Sequence, residues 1–251
     1  MIRQKDFLVI IIRLLLGYIF LSAGLCKLTH GHFGQIIGPP MLEDTLAAYG
    51  LGLFARVVAI LQVVCGILLL SQRFSTLGAI MLVPMNLSII AVTISLNWNG
   101  TPYVNGFFTM LNFILLIYDW HKLKVIIWPN SAVTVKQTVL DAHNQNPFNI
   151  AGIVFAVAAL LASRYSFTLT NIFAVAAFAA IGYSIVQIKS FSKIQVILVI
   201  LVMLNMILIT IARALGPITQ KLVLVNTILI LVLIGLSFLK LFNPDKQVAV
   251  V

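Results

Sequence analysis

Stretches of about 20 apolar residues recur along the whole chain, and each is long enough to cross a hydrocarbon core roughly 30 Å thick. Lipid offers no partner for backbone N–H and C=O groups, so such a stretch has to close its hydrogen bonds within itself as a helix. Composition agrees: 61% of the 251 residues are hydrophobic, 9% are charged, and the mean hydropathy is +1.12. A soluble domain of this length cannot hide that much apolar surface. The sequence therefore predicts an all-α fold, a polytopic transmembrane helical bundle whose first partner is the lipid bilayer.

About eight spans are expected, at residues 7–26, 53–70, 74–96, 103–118, 150–162, 167–188, 194–212 and 222–241. Polar and turn residues mark the breaks, as at Ser71-Gln72-Arg73, at 97–102 and at Gly216-Pro217. The fifth span is the shortest, ending before Arg164. The longest polar stretch divides the chain four-plus-four: a first bundle over 1–125, a connecting loop over 126–148, and a second membrane region over 149–251. A short turn or strand is expected at 133–140. Leu82-Val83-Pro84-Met85-Asn86 and Leu201-Val202-Met203-Leu204-Asn205 echo one another at equivalent places, a faint sign of internal repetition.

Basic residues set the orientation. Arg3, Lys5, Arg73, Lys122, Lys124, Lys136, Lys189, Lys193, Lys240 and Lys246 fall on one side. Lys27, Arg56, Arg164, Arg213 and Lys221 fall on the other. The two-to-one bias puts both termini in the cytoplasm of a multi-pass cell-membrane protein, of the bacterial inner-membrane kind. The net charge of +10 is then a topology signal together with affinity for anionic headgroups. It is spread over many loops without a basic block or motif, which argues against nucleic acid as a partner.

Two cysteines, Cys26 at the outer end of the first span and Cys65 well inside the second, argue against a disulfide framework. Cys26 is the thiol candidate, although no C-x-x-C accompanies it. The histidines are His30, His32, His121 and His143, all expected in loops, which leaves no pair to ligate haem at membrane depth. His30 and His32 lie near Glu43 and Asp44 without a common zinc spacing, so no metal is expected. Asp44 or Thr45 is placed to cap a short helix running into 46–49.

An ionisable residue inside a span marks a functional hypothesis, because it is costly there. Arg13 is the clear case. One reading has it snorkelling to the headgroups. The other turns it into the bundle, where Gln62, Asn86 and Asn112 lie at similar depth, Gln62 and Asn112 within roughly 10–17 Å of the same surface by helical rise and Asn86 somewhat deeper. Those four residues form the candidate ligand-binding cluster, and interhelical hydrogen bonding by the amides is the competing account. Pro84 is expected to kink its span beside Asn86. Gly17, Gly24, Gly66 and Gly78 read as helix-contact positions.

Arg13-Leu14-Leu15-Leu16-Gly17-Tyr18-Ile19-Phe20, then Ala23-Gly24-Leu25-Cys26-Lys27-Leu28, followed by Gly66-Ile67-Leu68-Leu69-Leu70 before Arg73, resembles the DoxX family and the related MauE-type redox-associated membrane proteins. The resemblance covers about the first 125 residues. It implies a four-helix membrane unit and a redox setting, as a subunit of a quinone-linked oxidoreductase or a helper of a periplasmic thiol pathway. Gln62 stands where the family's second helix often carries glutamate, which counts against proton-coupled chemistry. The resemblance makes quinone the candidate cofactor and a thioredoxin-like protein or an oxidoreductase the candidate partner, with homo-oligomerisation open. Three readings result: a redox-associated accessory protein, a small transporter or lipid-handling protein, and a structural subunit without a ligand. An enzyme acting alone is the least favoured, since no catalytic constellation is visible.

Overall fold

The computed structural model describes residues 4–38, 42–127 and 146–239. The segment 133–140, His143 and the end of the chain lie outside the described residues. All regular structure within them is helical. The first half holds α1 (Gln4–Leu28), α2 (Leu42–Ala47), α3 (Gly52–Leu70), α4 (Ser75–Ser95), α5 (Thr101–Tyr118) and α6 (Trp120–Ile127). The second holds α7 (Pro147–Ala162), α8 (Phe167–Val186), α9 (Lys193–Thr210), α10 (Ala212–Leu215) and α11 (Ile218–Leu239). Seven helices are long and apolar enough to span a membrane, and the chain is a multi-pass membrane protein. The expected fifth span is α7, whose 16 residues fall short of that length.

Local chemistry explains where the helices begin and end. Ser166 accepts from Leu169 N to start α8. Ser192 and Gln195 form a reciprocal capping box at α9, and Asn146 accepts from Phe148 N ahead of Pro147 at α7. Gln72 and Asn97 turn the chain with positive φ of 56° and 52° after α3 and α4. The short helix of the first loop starts earlier than expected, with Glu43 and Asp44 in its first turn, where carboxylates favour the positive end of the helix dipole.

Packing makes α1 the central element. It lies against α3 and α5, while α3 meets α4 and α4 meets α5, so these four helices close into a ring. One face of α1, with Leu16 and Phe20, joins Leu69, Leu82 and Leu115 inside that ring. The opposite face, with Leu14, Tyr18 and Leu21, joins Ala177, Phe178 and Leu198 of the second half. A helix apolar all round is one that is covered all round, and 83% of α1's most apolar window is buried. The second half is a row, α7 on α8, α8 on α9 and α9 on α11, laid against α1 and α3. Ring and row differ in plan, so the echo between residues 82–86 and 201–205 does not extend to the packing.

Contacts also fix which ends lie together. At one end, Phe7 meets Phe191 edge-on with ring centroids 5.7 Å apart. At the other, His32 stacks on Phe167 at 4.2 Å and accepts or shares a hydrogen bond with Arg213 at 3.3 Å. His32 is thereby engaged with the α8 and α9 ends.

Candidate functional site

The ring of α1, α3, α4 and α5 has polar groups at both ends and an apolar plug between them. The plug is Leu16, Leu69, Leu82 and Leu115, all buried. At the end that carries the N-terminus, Arg13 is buried and faces inward rather than snorkelling. Its Nη2 donates to Asp119 Oδ2 at 3.0 Å. Thr76 donates to the same oxygen at 2.9 Å, and Lys122 pairs with Oδ1 at 3.4 Å. Tyr118 adds its hydroxyl to Asp6 Oδ1 at 2.8 Å, and its ring centroid lies 5.9 Å from the Arg13 guanidinium carbon. This cluster joins α1, α4, α5 and α6.

Sequence reasoning stopped the fourth span at Tyr118 and left Asp119 to a loop. In the structure Asp119 caps α5, the chain turns at once into α6, and the Asp119 side chain stays buried. Arg13 therefore has an acidic partner in place of the expected amides.

The amides serve other ends. Asn112 Nδ2 donates to Ala79 O at 2.9 Å, bridging α5 to α4. Asn105 Nδ2 donates to Asn86 O at 3.0 Å. Asn86 is fully buried and neither atom of its own side-chain amide has a protein partner. Gln62 lies at the opposite end of the ring, where its Oε1 accepts from Lys27 Nζ at 3.1 Å. Arg13, Gln62, Asn86 and Asn112 are thus spread along the ring instead of converging on one guanidinium. Helix rotation decides which face a residue presents, and depth alone does not reveal it.

Lys27 was expected in the outer loop. Helix α1 runs on to Leu28, so the lysine is the last basic residue of a membrane helix and only 4% exposed. Its Nζ donates to Ala23 O and Gln62 Oε1, both at 3.1 Å. Among the described residues no carboxylate comes within ion-pair distance of it. Beside this pair the four helices part to leave a cavity of about 380 Å³. Its walls include Phe20, Val58, Ile89 and Phe108, with Ile37 and Gly38 of the outer loop at the rim. Polar contributions come from Lys27, Gln62, Asn105, Thr93, Thr101 and Trp98. Convergent polar groups on apolar walls are the general character of a small-ligand site.

Cys26 points away from this chemistry. It is 2% exposed and packed in the core between the two halves, and Cys65 is likewise free and buried. A thiol attacks or is attacked only where a partner can reach it, so Cys26 offers no sulfur to a partner protein in this conformation.

A DoxX family model matches residues 8–95, which spans α1 through α4 and includes Arg13, Lys27, Gln62 and Asn86. The match ends before α5 and so is shorter than the 125 residues expected. Comparison with curated proteins and with solved structures gives no match.

Proposed function

We propose that this chain is an integral membrane accessory protein of a redox system, and that its first helical ring receives the head of a membrane-soluble ligand. The observation that carries the reading is the buried Lys27–Gln62 pair opening on the 380 Å³ cavity. The DoxX match supports the redox setting, and a quinone-linked or MauE-type role is its finer form. Both a quinone carbonyl and an anionic lipid head would find donors in Lys27 and Gln62 and an apolar wall for the attached chain. The lipid-handling reading draws on the same cavity, since its one full charge is a lysine. A cytoplasmic position for both termini and a bacterial inner membrane belong to this proposal as well.

The test is native mass spectrometry of the protein extracted from its own membrane. Wild type should carry a bound small molecule, and Ala23→Phe, which adds a ring to the cavity wall, should lose it. Equal occupancy in the two proteins, or no bound molecule in wild type, would sink the reading and favour a structural subunit. Cross-linking through the outer loop addresses the redox setting. Capture of a quinone oxidoreductase or a thioredoxin-like protein is expected, and capture of neither would leave only the ligand-binding part standing.

A further inference from the structure

We infer that the outer cavity binds the anionic head of an amphiphile, carboxylate or phosphate in kind, with the Lys27 ammonium as its counter-ion. The inference rests on the reading that this cavity is the ligand site, and it names the class of ligand.

Among the described residues the cavity lining contains one charged side chain, Lys27, and no carboxylate. Its ammonium has three N–H groups, of which Ala23 O and Gln62 Oε1 accept two. Both acceptors are neutral. Among the described residues Glu43 on α2 is the nearby carboxylate, and it neither lines the cavity nor pairs with Nζ. A buried ion without a counter-ion is costly, several kcal/mol after relaxation. The other end of the same ring shows how this protein treats a buried cation: Arg13 has Asp119 at 3.0 Å. Among the described residues Lys27 has no such partner, and a bound anion would supply it.

Hydrogen-bonding capacity points the same way. Gln62, Thr101 and Trp98 line the cavity, and among the described residues the Gln62 Nε2, Thr101 hydroxyl and Trp98 indole N–H donors make no hydrogen bond. Thr93 is spent on its own helix, donating to Ile89 O at 2.8 Å. Uncommitted donors around a lone cation match an oxyanion, which accepts at every lone pair. Phe20, Ile89, Val104 and Phe108 then provide apolar surface for a hydrocarbon chain attached to that head. A neutral quinone would meet the donors but leave the charge unbalanced.

The experiment uses the full chain in phosphatidylcholine nanodiscs, titrated with oleate, oleyl alcohol, acetate and a short-chain quinone, with binding read by native mass spectrometry. Oleate should bind at least about tenfold more tightly than oleyl alcohol, the worth of one charge-assisted hydrogen bond. Two variants should each abolish that preference. Lys27→Met removes the charge at similar length. Gln62→Glu sets a carboxylate where an oxygen already lies 3.1 Å from Nζ, an internal counter-ion that displaces the ligand's. Lys27→Arg should retain it.

Both disabling variants should unfold no more easily than wild type without ligand, because one removes an uncompensated buried charge and the other pairs it. Equal binding of oleate and oleyl alcohol, or oleate binding unchanged in Gln62→Glu, would overturn the inference. Acetate binding as tightly as oleate would overturn the amphiphile in favour of a soluble anion. Quinone binding without oleate binding would overturn the anion and leave the ligand-site reading intact. Failure of every probe, with no co-extracted molecule, would end both.

Discussion

Asp119 holds the inner end of the ring through one carboxylate: Arg13 and Thr76 on one oxygen and Lys122 on the other. Replacing one member of a buried pair costs more than the pair contributes, because the survivor is left charged and unpaired. Asp119→Asn keeps the shape and strands Arg13, so it should destabilise the protein by about 3–5 kcal/mol. Arg13→Met combined with Asp119→Leu should recover most of that loss. Chemical unfolding in detergent micelles compares the three proteins, and an Asp119→Asn midpoint equal to wild type would show that the pair is not holding the ring. Half of this pair was legible in the sequence, since an arginine inside a span demands a partner. The other half was not, because an acid one residue past an apolar stretch reads as solvated. Lys27 was hidden in the same way: Cys26 is the last apolar residue before it, and the two further residues of α1 that bury it leave no compositional mark.

At the scale of helices, α1 and α3 approach so closely that side chains are excluded between them. A Cβ on Gly66 would lie 2.5 Å from Leu21 N and 2.7 Å from Gly17 O, and one on Gly24 would lie 2.6 Å from Ala59 O. These contacts are with backbone, which cannot swing aside as a side-chain tip can. In lipid, where association depends on van der Waals contact rather than on expelling water, such close approach is what holds two helices together. Gly66→Val should therefore push α3 off α1 and cost about 1–3 kcal/mol, the usual range for overpacking. The same substitution at Gly235, where a Cβ would meet nothing within 4 Å, should leave the unfolding midpoint unchanged. Equal effects at the two positions would remove the close-packing argument. Small residues on the first helices did announce this contact in the sequence. What they could not announce was rotation: Asn86 and Asn112 were placed at the right depth for a shared site, yet both engage the α4–α5 seam.

For the whole molecule, the pairing of ends ties the helices of both halves to one alternation. The Phe7–Phe191 contact, the Arg13–Asp119 pair and the Asn146–Gln187 hydrogen bond gather the start of α1, the end of α5, the start of α7 and the α8–α9 turn at one end. His32, Phe167 and Arg213 gather the α1, α8 and α9 connections at the other. Helix α7 packs along α8, and its 16 residues span only about 24 Å at the helical rise. It exposes Ile150, Val154 and Leu161 outward, and a helix this short crosses a bilayer only with local thinning or shielded ends. Chain direction fixes the alternation but not which end faces the cytoplasm, and for that the basic residues decide. Lys122 and Lys124 share the end that holds Asp119, while the cavity with Lys27 lies at the other. Reporter fusions placed after Lys124 should be cytoplasmic, and fusions placed after Gln35 should be outside. The reverse pattern would invert the molecule and turn the Lys27 cavity to the cytoplasmic leaflet. Agreement would put that cavity in the outer leaflet, where an anionic amphiphile meets it from the side of the membrane opposite both termini.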